Sequence, residues 1–506
     1  MKRPLKYIPA ALTVLFGLAL LTASVYAQEG KTFVYTDNNP ADPNSVSAFR
    51  VGRDGTLVMV QGSPFSTGGM GSGGGFFSSH RITATVVRRN FLYVANDGSD
   101  DISAFKIDTD RGGLTPVPDS PFGSGGTAGF GISLAATPNG RFLYAGNGGS
   151  GNISAFRIAS KGALVPIGSV PAGGTPDGMK VSPSGKVLGV ALANSDSVAM
   201  FRIGSDGRLT AVSNSPFAAG DFGIANDVDI NCKSNRLFDP KATAVGTTVA
   251  VFTIAPDGAL SPIAGSPFTF ARGTDSSVGV LSPDNQHLFV SNQGSDEITV
   301  LDVASGGSLT QESGSPFAIP LGFFPAGMGT NREGDLLYVT NADQTVSGFH
   351  IDSDGGLTPV TGSPFSTGIP PDGFLESLTV FPAHADEGEG DEVDASGHKG
   401  HFDFEADRRC PESGEMHFAD DSGRGMDGSV DAVSVQGNTA IISGPGTLLD
   451  GTPVQYTAVV TGNLPVVGSN LFSISWITAT GSIFQTTGSI FQTSGALIDG
   501  YIAVHP

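Results

Sequence analysis

Apolar and polar residues alternate along most of the chain in short runs, as in Ile102-Ser103-Ala104-Phe105-Lys106-Ile107 and Val198-Ala199-Met200-Phe201-Arg202-Ile203. A period of two puts successive side chains on opposite faces of an extended backbone, so these runs read as strands. Each follows a more continuous apolar run that ends in an Asn-rich loop. Examples are Phe91-Leu92-Tyr93-Val94 before Asn96-Asp97-Gly98 and Phe142-Leu143-Tyr144-Ala145 before Asn147-Gly148-Gly149. Each leads into an Asp-Gly turn or a variant of it, at Asp54-Gly55, Gly112-Gly113, Lys161-Gly162, Asp206-Gly207, Asp257-Gly258, Gly306-Gly307 and Asp354-Gly355. Glycine accepts the positive φ of a tight hairpin turn, which makes this a strand-turn-strand signal. After Gly-rich crossings, short apolar strands such as 132–136, 278–281 and 378–381 open the next unit.

Ser-Pro-Phe marks the period. It occurs at Ser63-Pro64-Phe65, Ser120-Pro121-Phe122, Ser215-Pro216-Phe217, Ser266-Pro267-Phe268, Ser315-Pro316-Phe317 and Ser363-Pro364-Phe365, with a degenerate Ser169-Val170-Pro171 between the second and third. Successive prolines stand 45–57 residues apart, the spacing of four-stranded propeller blades. Proline fixes the corner's φ and Phe can wedge between blades, so a motif present in nearly every unit belongs to the scaffold. The first unit begins at Phe33-Val34-Tyr35, equivalent to a second strand, and an extra strand at 376–381 follows the seventh. Pairing these two would close a ring. The fold expected is all-β: a seven-bladed β-propeller over residues 28–383 with a small C-terminal β-sandwich or barrel.

Composition agrees with this reading. The 506 residues include 72 Gly and 32 Pro, which exclude long helices, while 39% hydrophobic content with 33 Phe can fill a substantial core. Lys2, Arg3 and Lys6, the apolar stretch 8–23 and Val25-Tyr26-Ala27 form a cleavable export signal over 1–27, placing the mature protein in the periplasm or outside the cell. The apolar stretch is short for a membrane span, and no later run is long enough to be one. The net charge of −21 becomes −24 without the three leader cations, a field that repels nucleic acid and anionic membranes. Cys232 and Cys410 are the only cysteines; 178 positions apart, they read more readily as two isolated thiols than as one bridge.

Beyond residue 383 the composition shifts. Asp386, Glu387, Glu389, Asp391, Glu392 and Asp394 read as a solvated linker over 384–398. Alternating runs at 401–406, 454–460, 471–477 and 501–504 predict a small all-β domain over 399–506. His398, His401, Glu405, Cys410 and His417 cluster in sequence, but their spacing matches no standard zinc pattern. The paired acids Asp108/Asp110 and Asp352/Asp354 lack the downstream Glu of a calcium loop and belong to turns. Neither a metal nor a cofactor is expected. The heptad at 480–486 is repeated at 487–493, which lengthens a hairpin or loop.

The motifs Phe91-Leu92-Tyr93-Val94-Ala95-Asn96, Ile102-Ser103-Ala104-Phe105 and Gly356-Leu357-Thr358-Pro359-Val360 are similar to those of the seven-bladed lactonase propellers. So are the turns Ser182-Pro183-Ser184-Gly185 and Ser282-Pro283-Asp284-Asn285. That family is named for a 6-phosphogluconolactonase and includes fungal muconate-lactonising relatives; the resemblance covers about residues 31–383. It implies a lactone hydrolase with His and Arg in the strand-opening loops, often as Pro-His-Gly. In this chain those places read Pro176-Asp177-Gly178 and Pro371-Asp372-Gly373.

The candidate catalytic residues are therefore His80, Arg81, Asp177 and Arg272. Lactone hydrolysis needs a base to activate water and a cation or donor for the oxyanion. His80 and Arg81 immediately precede an inner strand, Arg272 stands just ahead of another, and Asp177, Asp275 or Glu376 would orient the base. His287 and His350 read as structural. With no cluster of cations for a phosphate, the substrate expected is a non-phosphorylated lactone or cyclic ester. The alternative is a non-catalytic ring that binds a protein, glycan or small ligand at its loop-rich face.

Overall fold

The computed structural model describes residues 31–74, 80–85, 90–220, 223–369, 375, 377–381, 386–394, 399–406, 410, 414–462, 471–478 and 490–503. For 386–394, 405, 478 and 490–503 it describes the backbone alone. The expected leader, Glu376, His398 and most of the duplicated heptad lie outside these residues.

Seven antiparallel sheets form the blades. Blade 2 shows the pattern: Ile82–Thr85 innermost, then Phe91–Asn96, Asp101–Ile107 and an outer strand split into Leu114–Pro116 and Phe122–Gly123. The split explains the Ser-Pro-Phe motif. All six Ser-Pro bonds of the motif are cis. The corner removes a stretch of outer-strand backbone, and the Ser hydroxyl takes over as acceptor for the third strand's amide. Val251 N donates to Ser266 Oγ at 2.8 Å, and Ala104 N to Ser120 Oγ at 2.9 Å. In blade 3, where the motif degenerates, the outer strand Leu164–Pro171 runs unbroken.

Each blade interface carries its own apolar cluster. Tyr144, Leu188, Val190 and Phe201 pack between blades 3 and 4, and Phe238, Val249, Leu288 and Leu301 between blades 5 and 6. The motif's phenylalanines lean into these seams: Phe65 joins the cluster between blades 1 and 2, and Phe217 that between blades 4 and 5. A hydrogen bond adds direction. The second-strand tyrosine reaches the hairpin turn of the next blade, with Tyr93 Oη donating to the Gly162 carbonyl at 3.0 Å and Tyr144 Oη to that of Gly207 at 2.9 Å. Tyr338 of blade 7 does the same to Gly55 of blade 1 at 2.8 Å, continuing the series across the join. The join itself is the expected one: Ser377–Phe381 is the innermost strand of blade 1, with Thr379 opposite Tyr35. His287, which reads as structural, opens the strand His287–Asn292, and its ring packs on Gly355 of blade 7.

The C-terminal domain is a closed antiparallel barrel. Gly425–Ser429 pairs with both Glu415–Asp420 and Thr439–Leu448, which brings the two ends of the sheet together. Phe402, Phe418, Phe472 and Trp476 fill its interior, with the Phe402 and Phe472 rings stacked 4.0 Å apart. Along Pro453–Thr461, Val454, Tyr456, Ala458 and Val460 point inward and Gln455, Thr457 and Val459 outward. The run expected as a linker is instead the strand Asp386–Asp394, paired on both sides. Its alternation sets acids against Gly388 and Gly390 rather than against apolar residues, so its hydropathy carries no strand signal.

Candidate functional site

The seven inner strands enclose a central channel of about 490 Å³. They run in one direction from an upper end, where the crossings enter, to a lower end, where the turns to the second strands lie. Most of the wall is backbone and small or aliphatic side chains, such as Thr83, Ala84, Ala135, Gly279 and Gly329. Against that background His80, Lys180 and Asp229 bring charge and proton-transfer chemistry to the lining.

His80 sits at the upper end of blade 2. Its carbonyl accepts from Leu134 N of blade 3 at 2.6 Å, which pins the backbone. Its ring crosses to blade 4: Nδ1 lies 3.0 Å from the Met179 carbonyl oxygen and 3.3 Å from the Met179 amide. The same nitrogen is 3.5 Å from Asp227 Oδ1 of blade 5. Burial, reinforced by the nearby Lys180 ammonium, pushes the imidazole pKa down to about 4. It is therefore neutral at physiological pH.

The inner strand of blade 5 is in two pieces, Ile224–Ala225 and Asp229–Ile230; Asp227 lies between them and Asp229 opens the second, and each turns one oxygen toward blade 6. Asp227 Oδ2 accepts from Gly279 N at 3.1 Å and Asp229 Oδ2 from Leu281 N at 2.9 Å. The other oxygens face inward to His80 and to Lys180, whose Nζ is 2.9 Å from Asp229 Oδ1. Asp229 raises the Lys180 pKa above the ordinary lysine value, so the ammonium persists. Burial raises the Asp227 carboxyl well above the carboxylate range.

Of the four candidates read from sequence, the structure places His80 in the channel and the other three elsewhere. Arg81 is buried at the seam of blades 1 and 2, its Nε 2.9 Å from Asp97 Oδ2. Burial raises the carboxyl of neighbouring Asp37 to about 7. Asp177 is buried at the start of the blade 4 inner strand, where its carbonyl accepts from the Ser133 hydroxyl. Arg272 lies on the upper surface, its side chain 67% exposed and paired with Glu297 at 2.7 Å. Asp275 packs over Gly294 of blade 6. The residues missed were Lys180, Asp227 and Asp229. The signal was present: Asp-Val-Asp and Met-Lys-Val place charge on inner strands where the other blades carry the uncharged Thr83, Ala135, Val280, Gly329 and Thr379.

Among the described residues no three His, Cys, Asp or Glu side chains converge as metal ligands. Within the tail's cluster, His417 pairs with Asp427, while Cys410 is bonded to Cys232 with Cα atoms 5.1 Å apart. The expectation of two isolated thiols is thereby overturned. Separation along the chain carried no information on this point, because the barrel folds back beneath blade 5.

The model of the lactonase seven-bladed β-propeller family matches residues 131–221 and 244–370. Over those residues the ring is similar to that family. Lactonase-type propellers are also its structural neighbours. A provisionally assigned 6-phosphogluconolactonase from Bacteroides fragilis superposes with a TM-score of 0.57 at 19% identity, covering 70% of this chain and 99% of its own. Another from Bacteroides uniformis gives 0.56 at 18%, covering 70% and 100%. A Lactobacillus plantarum protein gives 0.53 at 15%, covering 69% and 99%. Identities this low speak for the lactonase fold alone. No curated protein sequence matches the chain.

Proposed function

We propose that the channel hydrolyses a non-phosphorylated lactone. The observation that carries this is the convergence of a neutral, partly buried imidazole with an ion-paired ammonium on one wall of a cavity sized for a small ring. In the tautomer that donates from Nδ1 to the Met179 carbonyl, His80 Nε2 holds the lone pair. It takes a proton from water as the water oxygen attacks the lactone carbonyl carbon. The Lys180 ammonium, held by Asp229, donates to the carbonyl oxygen as charge develops there. The tetrahedral intermediate then expels the ring oxygen, His80 returns its proton to that alkoxide, and a hydroxy acid leaves.

Phosphate is disfavoured by charge. Lys180 is the one permanent cation among the described lining residues, and Asp229 neutralises it. The test is acid release from a panel of unphosphorylated five- and six-membered lactones. His80→Ala and Lys180→Met are each expected to lower kcat/KM by about 100-fold or more. Failure of every lactone, or wild-type rates in His80→Ala, would overturn the reading. We also propose that the protein is exported. The Cys232–Cys410 bond supports this, because disulfides persist in oxidising compartments. N-terminal sequencing of the mature protein should begin at Gln28.

One observation favours a second reading, a binding ring. Met70, Phe130, Val245, Leu321 and Phe323 are exposed on the crossings and turns of the upper face, and Ile224 at the start of the blade 5 inner strand. If no lactone turns over, a protein or glycan ligand held at that face is the alternative, checked by whether Phe130→Ser/Phe323→Ser abolishes its capture.

A further inference from the structure

Cys232 lies in the turn between the first and second strands of blade 5, at the lower end of the ring. The sulfur it bonds to, on Cys410, arrives from the C-terminal barrel, and Cys410 is itself part of the channel wall. Among the described lining residues it is the one that does not come from the propeller. The neighbouring lower-end residues are Pro138 of blade 3, Pro183 of blade 4 and Thr330 of blade 7. A second tie crosses the same interface: Asn139 Nδ2, in the corresponding turn of blade 3, donates to Glu415 Oε1 of the barrel at 3.0 Å. The barrel is thus attached at blades 3 and 5, on either side of blade 4, beneath the channel.

We propose that the C-terminal barrel floors the channel, with the Cys232–Cys410 bond as the latch. The channel is then a blind pocket that ligands enter from the upper end, and its depth is set by the position of Cys410. The latch is needed because an exposed Asn–Glu hydrogen bond holds a docked domain only weakly, whereas a covalent tether keeps the barrel at high effective concentration against the ring. For the lactone reading, on which this part rests, the floor limits the length of any substituent carried by the ring. Cys410 is a specificity-determining residue without being a catalytic one.

The experiment introduces a reporter thiol at the lower end, Thr330→Cys, in the full chain with its disulfide and again in a Cys232→Ser/Cys410→Ser background. The readout is the alkylation rate with a maleimide carrying a polymer too bulky for the channel. Trp476, the only tryptophan and buried in the barrel core, reports by its fluorescence that the barrel remains folded. With that signal unchanged, alkylation should be at least tenfold faster without the disulfide. Equal rates in the two forms, whether fast or slow, would overturn the proposal. A second arm uses lactones of increasing alkyl length: the serine variant should gain kcat/KM on long substrates relative to short ones, and an unchanged ratio would overturn the specificity claim. If no lactone is hydrolysed the function fails, while the alkylation arm still decides whether the floor exists.

Discussion

Asp239 offers a direct test of how the ring pays for its charges. It occupies the second strand of blade 5, opposite Ala250. At the equivalent register five of the other blades carry Val94, Ala145, Val190, Val290 and Val339, and blade 1 carries Thr36, all buried. Asp239 is fully buried, and neither carboxylate oxygen has a hydrogen-bond partner among the described residues. The nearby Lys241 is engaged elsewhere, with Asp196 at 2.5 Å and the Ala219 carbonyl at 2.9 Å. Burial accordingly raises the Asp239 pKa well above that of a free carboxylate. An unsatisfied buried polar group costs about 1–3 kcal/mol. Asp239→Val, which installs the apolar residue type of most other blades and leaves Lys241 paired, should stabilise the ring by about that amount at acid pH, where the carboxyl is neutral, and by more at pH 8.

The sign with pH follows from the raised pKa. Below the ordinary carboxylate range Asp239 is protonated in both folded and unfolded chains, and its titration contributes nothing to the difference between variant and wild type. Above it, the unfolded chain ionises first, so wild type loses stability relative to the variant by up to about 1.4 kcal/mol per pH unit until the folded side chain ionises too. Urea unfolding followed by far-ultraviolet circular dichroism at pH 4.5 and pH 8 measures both quantities, while Trp476 fluorescence follows the barrel separately. A variant less stable than wild type at pH 8, or a difference that does not grow with pH, would refute the reasoning.

Three further outcomes are expected. Tyr338→Phe removes the bond from blade 7 to Gly55 across the join and should cost about 1 kcal/mol in urea unfolding, as Tyr144→Phe should between blades 3 and 4; no loss in either would mean the stitches are redundant. Gly207→Ala should cost more, because its φ is +79° and an added Cβ would lie 2.3 Å from the Phe142 ring; a thermal midpoint unchanged from wild type would count against so close an approach of turn and ring. Because His80 is held neutral down to about pH 4, kcat/KM on a lactone should stay level from neutral to mildly acidic pH and fall as His80 protonates near pH 4; a decline already centred near pH 6.5 would mean that His80 titrates as an ordinary surface histidine.

The ring was legible in the sequence because its signals repeat. Seven Asp-Gly-type turns and six Ser-Pro-Phe corners report the same local geometry many times over, and the extra strand after the seventh unit has no place except against Phe33–Asp37. The site was less legible because it is built where the repeat breaks. Lys180 belongs to blade 4 and Asp227 and Asp229 to blade 5, and only the curvature of the ring brings them to His80 of blade 2. Arg81 and Asp177 were misplaced for a related reason. Adjacent residues on a strand face opposite ways, so the neighbour of a channel histidine points into a blade seam. The acidic strand of the barrel and the disulfide depend on pairings that no local pattern encodes.

The strand that closes the ring, Ser377–Phe381, is also the chain's exit toward the barrel. A force applied to a barrel tethered only there would be delivered straight to the clasp, peeling its hydrogen bonds from Phe33–Asp37 one after another. The Cys232–Cys410 bond gives such a force a second path, into blade 5 on another part of the circumference. Tension is then shared between a strand that can unzip and a covalent link that cannot, so the clasp is shielded from the domain whose chain it carries.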